Sequence, residues 1–78
     1  DIYSRNNLSK RARQIATITA LTALGTFSNE LSFHIRAGLT VGLTQEEIKE
    51  LMLLMTIYAG FPAAINGINA LKKVMEGN

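Results

Sequence analysis

Two stretches of this chain, residues 14–29 and 51–71, contain no charged side chain. In a chain of 78 residues such runs leave few ways to fold. A membrane span needs roughly 20 uninterrupted apolar residues. Gly25 divides the first run, and Gly60 and Pro62 divide the second, so neither reads as a span. They read instead as helices to be buried by protein. In the first run Ile15, Ala16, Ile18, Ala20, Leu21, Ala23 and Leu24 point in nearly every direction, relieved only by Thr17, Thr19 and Thr22. Residues 51–59 repeat the pattern. A helix apolar all round is buried on all sides. Four helices of this length cannot surround two such members, so either further chain or other subunits are expected to cover them.

The punctuation gives the helix limits. Ser9 caps a helix over residues 10–24, which Gly25 ends. Thr26 caps a second over 27–41, ended by Gly42. In "LTQEEI" Thr44 and Glu47 form a capping box, with Leu43 and Ile48 at the staple positions. That helix runs to about Ala59, with Gly60 as its stop. Pro62 suits the first turn of a fourth helix that ends near Glu76. Residues 1–8 read as an extended arm and 9–78 as one all-α domain. Asp1 stands where a start methionine would, which raises the expectation of a segment upstream.

Composition removes several classes. The chain has no cysteine, so no disulfide or thiolate-held metal staples it, and cytoplasmic residence is expected. The net charge of +2 dictates no partner. Nucleic-acid binding would need more basic charge with interleaved aromatics. No secretory signal pattern is present. Four basic residues, Arg5, Lys10, Arg11 and Arg13, crowd the N-terminal end. Three of them open a helix, the unfavourable end for cations in the helix dipole. The cluster reads either as a solvated surface, the commoner case, or as a group with a use, such as holding a carboxylate or a neighbour's acidic residue.

The only histidine is His34, with Glu30 one helical turn before it. By spacing alone the pair reads first as a surface salt bridge, worth about 0.3–0.5 kcal/mol, and second as a proton-transfer group with a carboxylate to orient it. Two ligands are too few for a typical catalytic zinc, so no metal is expected. Arg36, two residues on, lies about 200° around the helix from His34, a poor partner for the same pocket unless a neighbouring subunit brings it in. Met52 and Met55, with Leu51 and Leu54, read as core. Gly38 costs its helix about 1 kcal/mol against alanine and marks close helix approach or a ligand. Asn66 and Asn69 face either a pocket or water.

Residues 8–71, with "ELSFHIRAGLTVGLT", "EEIKE" and "YAGFPAAIN" as their most specific pieces, resemble the carboxymuconolactone decarboxylase family within the AhpD-like superfamily. AhpD-like peroxidases carry Cys-x-x-Cys-x-x-x-His. Here Phe27 and Glu30 stand in the cysteine positions, and thiol peroxidase chemistry requires thiolates. The relay glutamate that such members place in the preceding helix is matched only by Gln14, one residue out of register and unable to titrate. The resemblance therefore implies the decarboxylase-like branch. It implies a small antiparallel helical domain of about four helices, usually preceded by others, assembling as a homotrimer or homohexamer.

The activity implied is cofactor-free decarboxylation of a lactone carboxylate in aromatic-acid catabolism. His34 would be the proton donor and Glu30 its orienter. Arg11 or Arg13 would clamp the substrate's other carboxylate, across a subunit boundary if need be. The competing reading is a non-enzymatic oligomeric or ligand-binding domain, because fold does not fix function.

Overall fold

The structure, a computed structural model, describes residues 7–25 and 28–77. The described residues form four helices and no strand: α1 (Lys10–Leu24), α2 (Ser28–Thr40), α3 (Gln45–Tyr58) and α4 (Phe61–Met75). The sequence limits hold to within a residue or two. Thr26 as a cap and Phe27 as the first helical residue lie outside the described residues, as do positions 1–6 of the proposed arm. No described helix is long and apolar enough to cross a membrane.

Local chemistry fixes the ends. Ser9 Oγ accepts from the Ala12 N–H at 3.0 Å. Gly25 closes α1 at φ 74°, a left-handed cap that glycine adopts without a Cβ penalty. The capping box is complete: the Thr44 N–H donates to Glu47 Oε1 at 2.9 Å, and the Glu47 N–H donates to Thr44 Oγ1 at 3.0 Å. Leu43 and Ile48, the staple pair, are both buried in the core.

α1 and α4 each pack against all the other helices, whereas α2 and α3, consecutive in the chain, have no substantial contact. The core therefore lies along α1 and α4, with α2 and α3 on its flanks. Ile18, Leu31, Ile35, Ile48, Met52 and Leu71 are its fully buried large side chains. Burial of one such side chain stabilises by about 1.5–3 kcal/mol. Thr22, which interrupts the apolar surface of α1 in sequence, is also fully buried. Its hydroxyl donates to the Ile18 carbonyl at 2.7 Å, so the polar group is satisfied within its own helix.

Two glycines set the helix separations. A Cβ on Gly38 would meet Leu43 Cδ1 at 2.9 Å and Ile18 Cδ1 at 3.1 Å, which assigns this residue to close packing rather than to a ligand. A Cβ on Gly67 would fall 2.3 Å from Met52 Sδ and 3.0 Å from Thr22 Cγ2. Helices α1, α3 and α4 thus meet at one point where α4 offers only backbone.

The expectation that α1 and α3 are apolar on every side has a visible consequence. Within one chain each buries a single face. Met52 and Met55 are core as expected, but Leu54 is exposed, and so are Leu53, Ile57 and Tyr58.

A further tie joins α1 to the start of α3. The Arg11 guanidinium pairs with the Glu47 carboxylate. The Thr44 N–H is the main cause of a Glu47 carboxyl held below its ordinary range. Slight desolvation opposes it, and the Arg11 charge adds to it.

Two outcomes follow. Gly67→Ala gains about 1 kcal/mol of helix propensity but overpacks a full site, at about 1–3 kcal/mol. A net loss of stability in urea unfolding is expected, and an unchanged or raised midpoint would show that Met52 yields freely. For Glu47, a carboxyl with a lowered folded-state pKa adds stability above the unfolded range, lost as pH falls through the folded value. Glu47→Gln should therefore lower Tm near neutral pH and shrink the drop in Tm on acidification through the carboxylate range. An acid limb identical to the parent's would remove the assigned role.

Candidate functional site

His34 sits on α2, half-buried, on the side turned toward α1. Its neighbours in the helix, Leu31 and Ile35, are core residues, so the helix cannot rotate without unburying them. The imidazole therefore holds a fixed position at the edge of the core. The Phe33 ring meets it edge-on, with centroids 5.2 Å apart and planes at 89°.

The partner of the ring is Gln14. His34 Nδ1 lies 3.0 Å from Gln14 Oε1, across the α1–α2 contact. The contact joins the Nδ1 edge of the ring to the Gln14 side-chain amide and leaves Nε2 as the ring nitrogen without this partner. Gln14, out of register for a relay glutamate and untitratable, serves here as the residue that aims the ring.

Glu30 takes no such part within the chain. It is exposed, and neither a hydrogen bond nor an ion pair joins it to His34 among the described residues. The ring is thus oriented from α1 rather than by the preceding turn of α2. Helical spacing makes such a pair possible, but it does not make the bond.

The two candidate clamps separate. Arg11 is paired with Glu47, so the misplaced positive charge of the α1 N-terminus answers an acidic residue of a neighbouring helix. Arg13, with Lys10, Gln14 and Val41, lines a recess of about 140 Å³. Gln14 is common to this recess and to the hydrogen bond with His34, so it links the recess lined by Lys10 and Arg13 to the imidazole. Arg36 is absent from this region, as its angular offset from His34 requires. It lines a different groove, between α2 and α4. Among the described residues no three His, Cys, Asp or Glu side chains gather at metal-binding spacing.

The arrangement is a recess lined by Lys10 and Arg13 that Gln14 connects to the imidazole. Sequence reasoning identified His34 and the basic cluster, and treated Gln14 only as a departure from a pattern. Gln14 and His34 stand 20 positions apart, and only the packing of α1 on α2 brings them together.

Comparison with known proteins bears on the same residues. Residues 1–73 match the sequence profile described as the carboxymuconolactone decarboxylase family. A 4-carboxymuconolactone decarboxylase of Acinetobacter baylyi is 37% identical over 76 residues, which cover 97% of this chain and 56% of that protein. An uncharacterised 15.0 kDa protein of Paracoccus denitrificans is 32% identical over 62 residues, 78% of this chain and 46% of its own length. The chain thus spans about half the length of these relatives.

Proposed function

The chain belongs to the carboxymuconolactone decarboxylase family, and from that membership we propose that it carries the proton-donating part of a decarboxylase acting on a lactone carboxylate of the 4-carboxymuconolactone type. Arg13, with Lys10 beside it, holds a carboxylate of the substrate that is retained. The bond to the departing carboxylate breaks, carbon dioxide leaves, and the electron pair spreads into a dienolate on the lactone carbonyl. His34 then delivers a proton from Nε2 to carbon and is reprotonated from solvent. General acid catalysis of this kind contributes about 10²–10⁴-fold. Gln14 is a positioning residue. Glu30, one turn away on the exposed side, assists with its negative charge rather than by holding the ring.

The observation that carries this reading is the 3.0 Å bond between His34 Nδ1 and Gln14 Oε1. It holds the imidazole from another helix, through a residue that also lines the recess of Lys10 and Arg13.

The test is the decarboxylation rate of 4-carboxymuconolactone. His34→Gln should lose about 10²–10⁴-fold in kcat while the fold holds. Gln14→Leu should lose less, in kcat more than in KM, and Glu30→Gln least. A His34→Gln variant that turns over at the parent rate would remove His34 from the mechanism and leave a ligand-binding module.

We further propose that copies of the chain associate as a trimeric or hexameric ring. Around the turn from α3 to α4, Ile57, Tyr58 and Phe61 are exposed at 74%, 76% and 70%, flanked by exposed Leu53 and Ile65. Apolar surface gathered in this way marks an interaction site, and the family resemblance favours a second copy as its occupant. Light scattering on the chromatographic peak should report three or six chains, and Ile57→Asp should shift it toward monomer. A stable monomer at micromolar concentration would overturn the assembly, and the face would then belong to another part of a longer protein.

A further inference from the structure

A groove of about 420 Å³ lies between α2 and α4. Its walls repeat one pattern. Along α2 stand Asn29, Ser32 and Arg36, at positions i, i+3 and i+7. Along α4 stand Asn66, Asn69 and Lys73, at the same spacing. Residues so spaced share one helix face. Each helix therefore turns a polar stripe toward the groove, two neutral hydrogen-bonding groups followed by a cation. The buried Ala70 contributes a short side chain to the lining between them, and Phe33 adds an aromatic surface.

None of these six polar side chains makes a hydrogen bond or ion pair within the described chain, and no acidic residue lines the groove. The contrast with Arg11, which is paired with Glu47, is direct. Two cations and three amides converge on a concavity of ligand size without a carboxylate to answer them.

We infer that this groove is a binding site for a small organic carboxylate with an apolar body, separate from the His34 recess on the opposite face of α2. Arg36 and Lys73 hold the anionic end, with a charge-assisted fork from arginine. The asparagine amides, which both donate and accept, take the ligand's remaining oxygens. Phe33 and Ala70 meet its apolar part. The mixed lining favours a small molecule over an acidic protein segment. Neutral amides make up half of the polar lining, and an extended acidic partner would call for a longer run of cations.

Titration of the isotopically labelled chain with phthalate (benzene-1,2-dicarboxylate), at low ionic strength and followed by NMR, tests the site. Saturable shifts of the Asn29, Asn66 and Asn69 side-chain amides are expected. Arg36→Gln and Lys73→Gln should each weaken binding about tenfold, the loss of one charge-assisted hydrogen bond. Asn69→Asp, an exposed change of nearly equal size, should weaken it as well by placing a negative charge in the groove, one turn from Lys73. His34→Gln and Arg13→Gln should leave it unchanged.

No shift up to about 10 mM phthalate, where even a millimolar site would be largely filled, would overturn the inference. So would shifts abolished by Arg13→Gln but not by Arg36→Gln, which would assign the anion to the recess beside Gln14. Response to a poly-glutamate peptide but not to phthalate would overturn it in favour of a protein partner. Because binding is read without turnover, each outcome is independent of whether His34 transfers a proton.

Discussion

The architecture depends on a point where one side chain is missing. At Gly67 the backbone of α4 comes so close to α3 and α1 that a methyl group would overlap the Met52 sulfur and touch the Thr22 methyl. Helix axes normally stand 8–10 Å apart, as their side chains require. Omitting one lets α4 settle into the others, and α4 is one of the two helices that touch all the rest. The Thr22 hydroxyl, turned back to its own helix, allows a polar residue to sit at this junction without an unsatisfied group. In a domain whose core comprises few large side chains, close approach supplies contact that size cannot.

The second organising contact is electrostatic. Arg11 opens α1, where the helix dipole disfavours it, and Glu47 lies in the first turn of α3, where the dipole favours a carboxylate. Their pairing sets the misplaced charge against the well-placed one and ties two helices separated by all of α2. Arg11 is tied to the fold through Glu47, and Arg13 lines the recess that Gln14 shares.

What the sequence makes legible follows the range of the interactions. Ser9, Gly25, Thr44 with Glu47, and Pro62 act within one turn of the backbone, and the helix limits they imply hold. His34 is conspicuous as the only imidazole. Its partner was not legible, because Gln14 stands 20 residues away and lacks the charge that would mark it as a functional group. Glu30 drew attention through spacing, but a shared face brings two side chains near without making either the other's best partner. Gly67 is silent in sequence for a related reason: a glycine in a helix shows its cost locally and its purpose only in what it lies against. The family signature was legible because short, dense motifs survive in a chain that spans only about half of its relatives.

Helix α2 is read from both sides. One side gives His34 to α1, and the other gives Asn29, Ser32 and Arg36 to α4. Each residue in a helix advances the facing direction by about 100°. Insertion or deletion of a single residue between Asn29 and Arg36 would therefore turn the residues after it by about 100° relative to those before it, and the two faces would no longer be met at once. The length of this segment is fixed by geometry even where individual side chains can change. Natural variation in chain length has to fall in the turns, such as the one at Gly42, where a residue more or less leaves both faces of α2 aligned.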